Sequence, residues 1–259
     1  MKPSRLLPLA GSLLFPGASV RAAGPEASLF AFTEDAAGGL RLAGPGVAPE
    51  IWVSPNELPG VIRVANDLAA DFGRVLGTNA TVVSTDFAGA AKKTSSRPVI
   101  VLGTVGKSSL VDGLVSAKKV DAGAVAGKWE TFSFTTVSAP WDGVAAAFVL
   151  AGSDLRGSVF AAYSVSEIIG VSPWYYWADA PPKKRTHIFV RSAGAASTVV
   201  GPPSVKFRGI FLNDEDPGLS MTSWGSPSAT SKRRDEDECL TPGFLTSRLT
   251  SRSPVQGNS

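Results

Sequence analysis

Cysteine and histidine each occur once in the 259 residues, methionine twice and tyrosine three times. A single thiol excludes an internal disulfide, and Cys239 lies in a polar stretch, so cysteine usage assigns no redox compartment. His187 stands beside Lys183, Lys184 and Arg185 with no ligand cluster for a metal. Ser-His-Asp catalysis would need a partner serine that the sequence does not locate, so His187 reads as a plain strand residue. Long apolar runs are missing as well. Residues 6–15 form a short one, and nothing later approaches the roughly 20 residues of a membrane span. No membrane anchor is expected.

The N-terminus, Lys2 and Arg5 ahead of that run and small residues up to Ala22, reads as a secretory signal over residues 1–22 and implies a secreted, extracellular protein. Removing it takes Lys2, Arg5 and Arg21 and no acid, so the formal charge of +3 falls to zero. Without a basic excess there is no electrostatic footprint for nucleic acid. Asn79-Ala-Thr81 is a glycosylation acceptor pattern that sits well with secretion.

What remains is globular material, 44% hydrophobic and 18% charged, enough for one sizeable core and the start of a second. Residues 51–53 read as a short strand, and Ser54-Pro-Asn-Glu57 has capping-box spacing ahead of a helix. Val61, Val64, Ala65, Leu68, Phe72, Val75 and Leu76 recur on one helical face, with Gly77 as the stop. A strand over 81–84 and a polar linker over 89–97 follow. Residues 99–102 are apolar on both faces and read as a central strand. Next come a helix over 108–119, a strand pair over 129–137 and 145–151, and a helix over 157–169 capped by Ser153 or Asp154 and ended by Gly170. A strand over 186–191 completes an α/β sandwich with a mixed sheet. Residues 23–191 are thus expected as one N-terminal α/β domain. The Gly-, Ala-, Ser- and Pro-rich residues 192–204 read as a linker.

Three stretches could carry chemistry. Gly103-Thr-Val-Gly-Lys-Ser-Ser109 follows a buried strand and opens a helix, as a phosphate loop does, but Val101 stands where the Walker pattern needs glycine. A strand-to-helix turn is the better reading. Trp174-Tyr-Tyr-Trp177, bracketed by prolines, could stack on sugar faces; on a strand, Trp174 and Tyr176 would face one way and Tyr175 and Trp177 the other. Finally, Val205-Lys-Phe-Arg-Gly-Ile-Phe-Leu-Asn-Asp-Glu-Asp216 reads as a buried strand with acids at its tip. Strand tips of this kind are where barrel and open-sheet enzymes place their chemistry, although a solvated loop capping the next helix would use the same acids. Asp214 and Asp216 would point to one side at a Cα spacing of about 6.6 Å, and Pro217 then bends the chain.

Several segments together resemble the N-terminal region of glycoside hydrolase family 115, the xylan α-1,2-glucuronidases. They are Gly103-Thr-Val-Gly-Lys-Ser, Gly127-Lys-Trp-Glu130, Ala151-Gly-Ser-Asp-Leu-Arg-Gly157, Ile169-Gly-Val-Ser-Pro-Trp-Tyr-Tyr-Trp-Ala-Asp179 and Pro203-Ser-Val-Lys-Phe-Arg-Gly-Ile-Phe-Leu-Asn-Asp-Glu215. The resemblance implies an N-terminal α/β domain followed by a (β/α)8 barrel, and hydrolysis of (4-O-methyl)glucuronic acid side chains from glucuronoxylan by inversion, without metal or other cofactor. Residues 205–212 would be the first barrel strand, with Asn213 as a substrate contact and Asp214, then Glu215, as catalytic-site acids. Trp174 and Trp177 are candidate sugar contacts.

After Trp224 the polar composition of residues 225–259 shows no strand or helix periodicity and reads as a disordered tail foreign to the family. The expectation is therefore residues 205–224 as the start of a truncated barrel, and a chain without turnover of its own. The alternative is a secreted, non-catalytic domain that binds acidic xylan through Trp174, Trp177, Lys183, Lys184 and Arg185.

Overall fold

The computed structural model describes residues 25–33, 39–175, 178–191 and 197–209. The expected signal, Trp177, Asn213, Asp214, Glu215 and the polar tail lie outside them.

The centre is a six-stranded mixed sheet. Its strands are β3 (Glu50–Val53), β4 (Thr81–Ser84), β5 (Val99–Thr104), β6 (Phe132–Ser138), β7 (Ala146–Gly152) and β9 (Thr198–Val200), in spatial order β4-β3-β5-β7-β6-β9. The first four in that order are parallel; β6 pairs antiparallel with β7, and β9 with β6. Every residue of β5 and β7 is buried, as two-sided coverage of a parallel centre requires. The period of two along each strand divides them cleanly. Ile51, Val53, Ile100, Leu102, Phe148 and Leu150 face the cluster under α1 (Pro59–Leu76) and α4 (Leu155–Ile169). Trp52, Val99, Val101, Ala147 and Val149 face the cluster under α3 (Ser109–Ser116) and Trp141. A short helix, α2 (Phe87–Ala90), falls where sequence reading places the beginning of a polar linker.

A second, antiparallel sheet of order β1-β8-β2 joins β1 (Phe30–Ala31), β8 (Ile188–Arg191) and β2 (Gly39–Ala43). A 3-10 helix, Pro25–Leu29, leads into it. Its Phe30, Leu42 and Val190 join the α1 and α4 cluster, where Phe30 meets Phe148 edge-on at 5.6 Å.

The expected α/β domain with a mixed sheet is what the chain forms, and the differences are local. The capping box fails. Helix α1 begins at Pro59 with Leu58 as an uncapped N-cap, because proline supplies the preset φ and Ser54 and Glu57 are engaged elsewhere. Gly77, at φ 85°, ends it as expected. Helix α3 stops at Ser116, and residues 129–131 precede β6 without joining it. Asp154 is the α4 cap. Residues 173–175 form a turn, so no strand sorts Trp174 and Tyr175 onto opposite faces. The stretch read as a linker contributes β9, and residues 205–209 hold no strand.

Candidate functional site

In an open parallel sheet the carboxyl ends of the strands, at the point where strand order reverses, form the natural ligand crevice. Here the reversal lies between β3 and β5, and side chains of the protein close it. Glu57, 5% exposed, accepts the Leu58 amide on Oε1 and the Thr104 amide on Oε2, both at 2.8 Å. Ser54 and Ser109 hydroxyls meet at 3.0 Å across the same gap. Beneath them Thr104 Oγ1 lies 2.7 Å from Ser158 Oγ, and Ser158 donates to the Gly103 carbonyl at 3.2 Å.

The same logic runs through the glycine turn. Gly106, at φ 79°, gives its amide to Asp112 Oδ1 at 2.8 Å, and Ser108 caps α3. A phosphate loop needs free amides, and here carboxylates already accept them. The strand-to-helix turn is the structure this segment adopts.

A third group of polar contacts gathers where β6 begins and β7 ends. Asp154 accepts the Gly157 amide on Oδ1 at 2.7 Å and the Glu130 amide on Oδ2 at 2.8 Å, while Ser153 Oγ accepts the Thr131 amide at 3.0 Å. Glu130, 8% exposed and at φ 48°, pairs through Oε1 with Arg156 Nε at 2.9 Å and through Oε2 with Arg208. Three of the segments quoted above, those around Glu130, Asp154 and Arg208, thus meet in one place. Sequence reading missed this set as a unit, since Glu130 and Arg208 are 78 positions apart.

The cations proposed for acidic xylan are largely engaged. Lys184 Nζ donates to the Arg74 carbonyl at 2.6 Å, and Arg185 donates its amide to the Val75 carbonyl and Nε to the Ile169 carbonyl. Arg185 also lies 3.7 Å over the Phe32 ring, and burial lowers its pKa. These are the last carbonyls of α1 and α4, which lack helical partners and carry the negative end of the helix dipole. Trp174, by contrast, is 64% exposed and available to a ligand. His187 is buried beside β8, with Nδ1 3.1 Å from Thr186 Oγ1 and its ring stacked on Phe189.

Between α1 and α4 lies a seam that holds a buried acid, Asp71, and a half-buried one, Asp67. Asp71 pairs with Arg74 at 2.5 Å, and Tyr163 donates to Asp67 Oδ2 at 3.1 Å. Burial pushes both carboxyls above the usual aspartate range, and burial beside Asp67 raises the Tyr163 phenol. Burial works to lower Arg74, but the charge and hydrogen bond of Asp71, with Tyr175, outweigh it and leave Arg74 raised. For Asp71 burial decides, because its partner guanidinium is 37% exposed and screened by water. Among the described residues no group of three or more His, Cys, Asp or Glu is placed to hold a metal. No helix there is long and apolar enough to cross a membrane.

Taken together these features define a mixed-sheet α/β domain whose switch-point crevice is stapled shut and whose exit is held by ion pairs. Among solved structures it is similar to a family GH115 4-O-methyl-alpha-glucuronidase with specificity for decorated arabinogalactans, at 30% identity and a TM-score of 0.55. The match covers 73% of this chain and 22% of that protein. No family model and no curated protein matches the chain. The resemblance to the N-terminal region of glycoside hydrolase family 115 is therefore carried by the structure as well as by the sequence.

Proposed function

We propose that this chain supplies the N-terminal α/β domain of a secreted family 115 α-glucuronidase and leads from it into the catalytic barrel. The observation that supports this most is the structural likeness over 73% of the chain, and three of the quoted segments converge on Glu130. The substrate class is a polysaccharide with (4-O-methyl)glucuronic acid side chains. The structural neighbour's name gives decorated arabinogalactans, whereas the motifs resemble xylan enzymes, so the uronic acid is the shared group and the polymer behind it is the variable.

In this reading Asn213 contacts substrate, Asp214 is a catalytic-site acid and Glu215 its second. Hydrolysis by inversion requires two carboxyl groups about 6.5–9.5 Å apart, with a water between. A closed barrel holds such a pair, and one strand cannot. The 259 residues alone are therefore proposed to be without turnover.

The test is release of uronic acid from glucuronoxylan and from arabinogalactan oligosaccharides. The purified chain should release none. The chain extended in frame by a family 115 catalytic region should release it, and Asp214→Asn in that protein should abolish release. Turnover by the 259-residue chain would refute the need for more barrel, and an active Asp214→Asn variant would refute the site. Exposed Trp174 favours a second reading, a carbohydrate-binding domain; binding by the purified chain, lost in Trp174→Ala and without release, is its signature.

A further inference from the structure

The chain leaves the α/β domain along β6. Strand β9 pairs with it in the register Phe132↔Val200, and Gly201, at φ 100°, then lies so close that a Cβ would sit 3.0 Å from the Glu130 carbonyl. Beyond that point apolar burial does not hold the backbone: Val205 is 57% and Phe207 87% exposed. Arg208 is nevertheless anchored. It donates through Nη2 to Glu130 Oε2 and through Nη1 to the Val205 carbonyl at 2.6 Å. The other oxygen of Glu130 faces Arg156, and both guanidinium groups lie over Phe160, at 5.4 and 5.8 Å from its centroid.

Glu130 itself is over-determined. Its left-handed backbone is unfavourable for a glutamate and persists because Asp154 and Ser153 hold the Glu130 and Thr131 amides.

The geometry points to Glu130 as a positioning residue: a buried carboxylate latch that, through Arg208, fixes the direction in which the chain leaves the α/β domain just ahead of Asn213. Arg156 pairs with the second oxygen, so each oxygen of the carboxylate has a cationic partner only when both arginines are docked. Removing the Glu130 charge takes the shared anion from both guanidinium groups at once, so Arg208 loses the contact that docks it. That the exit leads to catalysis rests on the glucuronidase reading above. The latch does not, and its test uses no activity.

Site-resolved limited trypsinolysis of the purified chain reads the latch, because a docked Arg208 is a poor substrate. Lys92, exposed on the turn after α2, serves as an internal clock for general loosening. Glu130→Gln, which keeps shape and removes charge, should speed cleavage after Arg208 about tenfold while cleavage after Lys92 stays unchanged. Two variants at the exposed end guard against misfolding of that protein. Arg208→Met should accelerate amide exchange across β9 about tenfold, and Arg208→Lys, which keeps one charge-assisted contact, should restore most of the protection. Unaltered cleavage in Glu130→Gln would overturn the latch. So would equal acceleration at Lys92, or Arg208→Lys behaving like Arg208→Met, since each makes the pair a general stabiliser without directional control.

Discussion

The middle of the sheet and its exit are held by opposite physics. Strands β5 and β7 are buried along their whole length, and their side chains meet helices on both sides. Residues 205–209 carry exposed Val205 and Phe207 and are tied down by Arg208 on one buried carboxylate. Burial is non-directional and adds with area, so it fixes a core without fixing any one contact. An ion pair adds little net energy but fixes one geometry, which is what a connection to a further domain needs.

The strongest way to break this comparison is at Phe148. It is fully buried on β7 and touches Phe30 at 5.6 Å and Phe134 at 5.4 Å, so it ties the small sheet to the large one. Phe148→Ala should destabilise the chain by about 3–5 kcal/mol, read from the urea midpoint. Glu130→Gln should move the same midpoint less, by about 1–2 kcal/mol, because its guanidinium partners are 24% and 34% exposed and water screens the charges left behind. Equal shifts from the two variants would show that the exit is part of the core, and the distinction would fail.

That division also explains what the sequence made legible. The central position of β5 followed from its two-sided apolar run, and α1 from its repeating face and the glycine that ends it. Burial writes itself into periodicity. Polar contacts do not: Ser54 and Glu57 have capping-box spacing, yet Ser54 faces Ser109 and Glu57 faces Thr104, partners 55 and 47 positions away. Short edge strands such as β9 have too few residues to show alternation, so a Gly- and Pro-rich stretch concealed one. Of the candidate site, Trp174 is placed on an exposed turn, whereas Asn213, Asp214, Glu215 and Trp177 lie outside the described residues. The Glu130 set was present in the family-like segments, but nothing local in them signals that they touch.

A smaller effect belongs to the seam between α1 and α4, where charge is buried without the double pairing that Glu130 enjoys. Burial raises the pKa of Asp67 and of Asp71 above the ordinary aspartate range. A group raised on folding favours the folded state in its protonated form. That contribution is complete below the unfolded pKa and fades as the pH rises through the raised folded value. Wild-type protein should therefore gain stability relative to Asp67→Asn/Asp71→Asn as the pH falls from 6 toward 4. Paired thermal melts across that range measure it. A difference that is flat, or that grows with rising pH, would mean that Arg74 and Tyr163 outweigh burial.

The smallest expected effect lies at Lys184, and it sharpens the comparison by holding charge constant while removing burial. Its ammonium donates to the Arg74 carbonyl near the C-terminal end of α1, where the helix dipole favours a cation, but the side chain is exposed. Water screens such a contact, so Lys184→Met should cost about 0.3–0.5 kcal/mol at low salt and less at high salt. Arg185 performs a related task at the end of α4 with its guanidinium packed 3.7 Å over Phe32, and Arg185→Met should therefore cost more and depend less on salt. Urea midpoints for both variants at low and high ionic strength measure the two terms together. If Lys184→Met proved the larger and salt-insensitive loss, surface cations would be structural anchors here on the same footing as Arg208. Depth of burial would then no longer separate the contacts that set geometry from those that only trim the surface.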